Sequence, residues 1–424
     1  MIISFKIENF RSVKQNLTLS LAAETRLKEL DLPENSFIEN NLELLKSLLI
    51  YGRNASGKSN ILIALKALQF LVTNSDSFKH DMPIPTYEPF KFDTAYSKKP
   101  VYFEIDFIGI ESKTKFKYIV SFDSKNIVFE GLYIYPEGIK SKLYERKMSK
   151  VTYGDYYRGT KKKIENDLLQ NQLFLSKSST SKVDYLDECY LYFDKYLYVS
   201  TIHDTEYDNT IIRAFSEVLT KDTKLKDNLL ELIKASDTSI NDFRIKENTK
   251  KMEFPENIPD EVRKNIIEKY KYEVHTNHTL FENGVEIGQE TLDLEYESIG
   301  TKKLFAIGAL ILDALEDGGV IVIDELDKGL HPLISKLLIS LFNSKKNNPN
   351  NTQLIFATHD STLLDLSSLR RDQISFVEKE YEGQSIYYKL SDIKGIRKDI
   401  PIDKWYLSGR FKAIPVINEI CLKF

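Results

Sequence analysis

Gly52-Arg-Asn-Ala-Ser-Gly57-Lys58-Ser59 stands between an apolar run, Leu45 to Tyr51, and a series at helical spacing, Ile61, Leu62, Leu65, Leu68, Phe70 and Leu71. A short buried strand, a glycine turn and a helix form the setting that G-x-x-x-x-G-K-S requires. The glycines let backbone N–H groups curl around phosphate oxygens, and the helix N-terminus adds partial positive charge facing them. Lys58 is placed to reach the β- and γ-phosphates, and the Ser59 hydroxyl to ligate Mg²⁺. Gly52, Asn54, Ser56, Gly57, Lys58, Ser59 and Asn60 are the expected binding residues of this loop.

Three further stretches supply what a phosphate loop needs. Val320-Ile-Val-Ile-Asp324-Glu325 reads as a buried strand with two acids at its carboxyl end, the edge where open α/β sheets bind ligands. Asp324 is suited to the Mg²⁺ shell, and Glu325 to orienting or deprotonating an attacking water. Thr358-His359-Asp360 follows the apolar strand Gln353 to Ala357, which places His359 to bond a γ-phosphate or the water. Glu297-Ser298-Ile-Gly300-Thr301 precedes a helix beginning near Lys302. Alone it is a helix cap, but a helix N-terminus is also an anion site.

Outside these stretches the chain has 424 residues, 42% hydrophobic and 29% charged, enough for more than one domain with ordinary cores. The net charge of −4 excludes a global basic field for nucleic acid. Two distant cysteines, Cys189 and Cys421, suit a reducing compartment. The opening lacks a basic n-region with a long apolar stretch. The longest apolar run, Leu304 to Leu315, contains Asp313 and is too short for a bilayer of ~30 Å. A cytoplasmic protein without membrane partners is expected.

Period-two patterns predict strands at 2–8, 17–23, 101–107, 116–122 and 127–135. Residues 164–238 read mainly as helices, including 210–219 and 227–235; 240–245 and 270–275 read as strands. Parallel α/β signals return with a helix to Leu315, a helix at 332–342, and late strands at 374–377 and 385–390. No internal repeat or sustained heptad occurs, so a long coiled-coil arm is not expected. Lys140, Lys142, Arg146, Lys147, Lys150, Arg158 and Lys161 to Lys163, interleaved with Tyr144, Tyr153, Tyr156 and Tyr157, suit either a solvated hairpin and linker or phosphate and base contacts.

In this order the motifs resemble the ABC-type ATPase head. Gly52 to Ser59 matches Walker A, Ser298 to Gly300 a short S-x-G signature, and Ile321 to Glu325 Walker B with its catalytic glutamate. Leu326-Asp327 matches the D-loop and His359 the switch histidine. Ile7-Glu-Asn-Phe-Arg11-Ser12 resembles the start of RecF, SMC and related heads, where this segment lies near the nucleotide. Leu304-Phe305, Asp324 to Pro332, Thr358 to Asp360, Arg370 to Ile374, Val377 to Lys379, Tyr406 to Arg410 and Ala413-Ile-Pro415 resemble abortive-infection ATPases of the AbiL and RloA type.

The resemblance implies an α/β fold: an ABC-type P-loop ATPase head, with a mixed parallel sheet, helices and an antiparallel β-lobe, carrying a mainly helical insertion. The expected divisions are 1–150 for the first half of the head, 151–280 for the insertion and 281–424 for the second half. Its cofactors would be ATP and Mg²⁺, with Lys58, Glu325 and His359 catalytic and with Ser59 and Asp324 on the metal. Arg11, Ser12, Ser298, Gly300 and Asp327 join the binding residues. It further implies a nucleotide-sandwich homodimer or higher even oligomer. That dimer would be the sensor of an anti-phage system, controlling a Toprim-like or RloB-like nuclease or toxin encoded nearby. Nucleic acid stays open as a partner, and a RecF/SMC-like DNA-maintenance ATPase is the alternative. Too few residues follow His359 for a Toprim domain within this chain, no separate paired-acid constellation suggests a nuclease, and no N-K-x-D motif suggests a GTPase.

Overall fold

The computed structural model describes residues 1–25, 27, 32–159, 161–179, 183, 185–201, 205–236, 239–248, 254–255, 258–397 and 400–414. The Lys163 side chain, Pro415 and Cys421 lie outside the described residues. Contacts divide the chain into two units. The first comprises Met1–Thr201, Asp317–Leu326 and Ile339–Phe424, and the second Ile202–Glu316 and Asp327–Leu338.

The first unit is built on a six-stranded sheet in the order Leu197–Ser200, Val320–Ile323, Gln353–Ala357, Ser47–Tyr51, Ile374–Lys379, Ser385–Lys389. The first five strands are parallel and the last is antiparallel. Val320–Ile323, Gln353–Ala357 and Ser47–Tyr51 are buried along their whole length. Their runs of valine, isoleucine and leucine fit strands covered on both faces. Register pairs Ile323 with Phe356 and Ala357 with Ile50, so three carboxyl ends finish at one edge.

A seven-stranded antiparallel sheet belongs to the same unit, in the order Lys150–Tyr153, Ser141–Lys147, Ile127–Ile134, Lys115–Phe122, Val101–Ile108, Ile2–Glu8, Leu17–Ser20. Val101–Ile108 alternates buried and half-buried residues, as one-sided packing requires. Within this sheet Glu130 is fully buried. Its carboxylate accepts from Tyr118 Oη at 2.9 Å, Tyr144 Oη at 2.6 Å, and the backbone N–H groups of Phe174 and Leu175 at 2.7 and 2.9 Å. Buried Arg146 lies 3.9 Å away and donates to the carbonyls of Met148, Leu169 and Gln172. Arg146, read from sequence as part of a surface basic stretch, therefore serves inside the lobe.

The second unit carries helices Thr205–Lys221 and Thr223–Ser236 and most of Ile299–Asp317. It also carries a three-stranded antiparallel sheet, Ile240–Glu247, Tyr272–Glu282 and Val285–Asp293. Leu225, Leu229, Ile233 and Phe305 are buried, and Phe243 meets Phe305 edge-on at 5.0 Å. Gly308 leaves room for Leu229 and Leu232, which any Cβ there would crowd.

The α/β head and antiparallel lobe expected from the sequence are present. The divisions at 150 and 280 are not where the compact units part. Leu197–Ser200, inside a stretch read as helical, is an edge strand of the central sheet and carries 151–201 with the first unit. Residues 281–316 go with the second unit, in which a three-stranded sheet accompanies the helices. No described helix is long and apolar enough to cross a membrane.

Removing one partner of a buried ionic network costs about 3–5 kcal/mol. Glu130→Ala should therefore lower the unfolding free energy measured in urea by an amount of that order, and Glu130→Gln by less, because it keeps an acceptor for the two tyrosines.

Candidate functional site

The loop after Ser47–Tyr51 closes through the Ser56 N–H on the Arg53 carbonyl at 3.1 Å, with Ala55 at φ 61° and Gly57 at φ 107°. Helix Lys58–Asn74 starts from Gly57. A Cβ on Gly52 would lie 2.5 Å from the Val377 carbonyl and 2.6 Å from Ser56 Oγ. One on Gly57 would overlap the hydroxyls of Ser12 and Ser385. Both glycines are thus demanded by space, and Gly57 by its backbone as well.

Lys58 is buried, its ammonium donating to the Gly52 carbonyl at 2.8 Å and lying 3.0 Å from His359 Nε2. His359 itself is exposed at the end of its strand, where the buried Thr358 N–H donates to the Ile50 carbonyl at 3.1 Å. Asp360 turns the chain there, its carboxylate accepting from Thr362 N at 2.8 Å.

Asp324 ends the neighbouring strand, its N–H donating to the Ser200 carbonyl at 3.0 Å. It is buried, and Oδ1 has no hydrogen-bond partner among the described residues. Burial pushes its pKa above the usual carboxylate value, and the nearby Glu325 charge adds to this; the Ser59 hydroxyl and the Lys58 ammonium act the other way. Glu325 is half-buried with φ 48°, a left-handed turn that ends the strand. Ser56 Oγ is likewise buried without a partner among the described residues.

The opening segment closes the other side of the loop. Asn60 Nδ2 donates to Ser12 Oγ at 2.8 Å, and Arg11 reaches Asn60 Oδ1 at 3.5 Å while pairing with Glu88. Ser385 Oγ lies 2.6 Å from the Ser56 carbonyl and 2.8 Å from Ser12 Oγ. Beside these a cavity of about 240 Å³ is lined by Phe10, Arg11, Ile63, Lys66, Phe70 and Thr86 among others. Thr86 Oγ1 is buried there without a partner among the described residues. Ser385, Thr86 and Glu88 were not singled out in the sequence: a serine opening a late strand and a proline-bearing stretch carry no motif.

The first unit thus brings together Arg11, Ser12, Gly52, Ser56, Gly57, Lys58, Ser59, Asn60, Asp324, Glu325 and His359. Asn54 is exposed on the loop. Ser298, Gly300 and Asp327 belong to the second unit. There Ser298 caps helix Ile299–Asp317, its Oγ accepting from Thr301 N at 3.0 Å. A Cβ on Gly300 would lie 2.9 Å from the Gly329 carbonyl, so the helix start packs closely on the segment after Asp327. Ser298 is exposed, as are Tyr296 and Ile299 beside it. Asp327 Oδ1 is buried without a partner among the described residues.

Fold and site define a P-loop nucleotide-binding head. Residues 47–365 match the family described as "AAA domain, putative AbiEii toxin, Type IV TA system", and the chain belongs to that family. No curated protein sequence matches it. Among solved structures, the SMC head bound to the C-winged helix domain of ScpA is similar at TM-score 0.45 and 14% identity, over 92% of this chain and 97% of that one. The SMC head domain from Thermotoga maritima gives 0.40 and 12%, over 92% and 98%. The recombination mediator RecF with ATP gives 0.35 and 18%, over 92% and 97%.

A raised carboxylate pKa means that the native state binds more protons than the unfolded one. Asp324 therefore lowers stability as pH rises from the usual carboxylate value through the raised one. Asp324→Asn should raise the thermal midpoint of the nucleotide-free protein at neutral pH and flatten that pH dependence.

Proposed function

We propose that this chain binds ATP with Mg²⁺ and hydrolyses it. The observation that carries the reading is the buried Asp324 carboxylate, with one oxygen unpartnered among the described residues, set against the Ser59 hydroxyl at the start of the phosphate-loop helix. Buried polar atoms are rarely left unpaired without a reason. A hydroxyl and a carboxylate are oxygen donors of the kind Mg²⁺ takes. When bound, Mg²⁺ would neutralise charge on the terminal phosphates.

The chain's own groups supply the remainder. Loop N–H groups and the dipole of helix Lys58–Asn74 face the phosphates. Lys58 gives up its internal acceptors, Gly52 O and His359 Nε2, for phosphate oxygens. Glu325 orients or deprotonates the attacking water, and His359 bonds the terminal phosphate or that water. The cavity beside Phe10, Arg11 and Thr86 takes the base and sugar, with Thr86 Oγ1 offering a hydrogen bond.

In this reading two copies share each site. Exposed Ser298 and half-buried Gly300 begin a long helix whose first N–H groups suit the γ-phosphate held by a second chain, with Asp327 beside that junction. Hydrolysis removes the bridging phosphate, which makes nucleotide state a switch. The family description names a putative AbiEii toxin of a type IV TA system; together with the abortive-infection motifs of the sequence, this fits a cytoplasmic role in anti-phage defence, in which the nucleotide switch would control a Toprim-like or RloB-like effector.

Lys58→Ala should abolish turnover and weaken nucleotide binding, whereas Glu325→Gln should still bind ATP, turn it over at least about 100-fold more slowly and accumulate ATP-bound dimers by light scattering. Normal turnover in either removes its assignment. Ser298→Arg and Lys58→Ala should each be inactive alone. Mixed, they form heterodimers in which one site carries both defects and the other neither, so part of the activity should return. A fully active monomeric Ser298→Arg variant rules out sharing.

A further inference from the structure

The strands Tyr272–Glu282 and Val285–Asp293 form a hairpin in which Val285–Leu292 is exposed on both faces. Its outer half shows Phe281 at 60%, Val285 at 64% and Ile287 at 55% exposure, far from the usual placement of such side chains. Val285–Asp293 is also an edge strand, paired on one side only within its three-stranded sheet. Edges of this kind are normally blunted by charged side chains, lysine above all, or by proline. Residues 280–293 hold no lysine, arginine or proline, and every charge there is of one sign: Glu282, Glu286, Glu290 and Asp293. The one irregularity is a register shift between Leu280 and Phe281.

We infer that this hairpin is a docking edge for an extended, basic polypeptide segment of another protein. An unpaired strand edge recognises extended backbone, and alternating side chains set specificity. Val285 and Ile287, two residues apart, share a face and offer apolar contact, while the acids select lysine or arginine. The same charges argue against two other occupants. A second copy paired edge to edge would set acid against acid with no counter-charge. Nucleic acid would meet a surface of its own sign.

The hairpin's base supplies a route by which docking is read. Thr276 and His278, on one face of the first strand, both bond Glu297, with His278 Nε2 2.7 Å from its Oε1. Glu297 is largely buried and immediately precedes Ser298, the cap of helix Ile299–Asp317. A segment that shifts the hairpin therefore shifts the start of the helix proposed to meet the γ-phosphate. This second half rests on the ATPase reading above; the docking itself does not.

The test uses the full chain and a fluorescein-labelled nonapeptide alternating lysine and valine. The controls are a glutamate–valine peptide and a short DNA duplex. Anisotropy should show saturable binding of the lysine–valine peptide, weakened at least tenfold in Glu286→Lys with Glu290→Lys and in Phe281→Ser with Ile287→Ser. All four side chains are exposed, so unchanged thermal midpoints separate lost docking from lost folding. No saturable binding, affinity untouched by either double variant, or equal binding of the acidic peptide overturns the proposal. So does DNA binding that depends on these residues, or nucleotide-free self-association lost in them. For the second half, the peptide should change ATP turnover in the unaltered chain. Glu297→Gln should bind the peptide as tightly but no longer respond. Peptide binding with turnover unaffected in the unaltered chain overturns this coupling. Absence of any turnover refutes the ATPase reading and leaves docking to be judged by anisotropy.

Discussion

Parallel pairing in register places Ile50, Ile323 and Ala357 on adjoining rungs, so the loops that follow three distant segments must open side by side. Everything chemical in the first unit depends on that alignment. Lys58 meets His359 across 301 positions of sequence because their strands are hydrogen-bonded neighbours. Asp324 is one strand further, within range of Ser59 and Lys58. The later segments hold this register. Gln373 donates to Ser47 Oγ at 2.6 Å and accepts from Asn35 at 2.7 Å, while buried Arg370 clasps Asp372 at 2.9 Å. Tyr406 packs on Tyr51 at 5.5 Å and Phe376 at 6.0 Å, just behind the phosphate loop. Motifs near the C-terminal side that carry no chemistry of their own thus act by fixing the strand that does.

Two buried acids show how structure and site differ. Glu130 accepts from two tyrosines and two backbone N–H groups, with a guanidinium nearby, so its burial is fully compensated. Asp324 has one oxygen without a partner among the described residues and a carboxyl pushed towards its neutral form. The same side-chain chemistry serves packing in one place and is held unsatisfied in the other. An unsatisfied buried group is costly, and it persists where a ligand completes it.

The fold was legible where strands are long and uniformly apolar, as at Val320–Ile323, or where the glycine turn is dictated by phosphate geometry. Leu197–Ser200 was not legible: four residues in a tyrosine-rich stretch have no period of their own, and only pairing with Val320–Ile323 makes them a strand. Val285–Asp293 escaped for a related reason. Alternation between core and solvent is the sequence signal of a strand, and a ribbon exposed on both faces has none. Arg146 misled in the opposite sense, since a lysine-rich neighbourhood hid a guanidinium whose partners are carbonyls distant in sequence. Ser385 and Thr86 contribute through position alone. Nothing in a single sequence marks a serine that meets a glycine loop only after the sheet has formed.

The two readings of Ser298, a helix cap or an anion site, are not alternatives once the geometry is considered. A capping hydroxyl satisfies one N–H of the first turn, here that of Thr301. The first turn has further N–H groups that no residue of its own helix can reach. Those of Ile299 and Gly300 lie at an exposed end, and Gly300 has no side chain to cover them. The hydroxyl that terminates the helix also fixes the direction of the remaining donors. The close approach of Gly300 to the Gly329 carbonyl holds that end against the segment after Asp327. An exposed helix start with donors left over is what the anion-binding role proposed for it requires. The structural role of Ser298 is therefore the physical basis of the chemical role proposed for it.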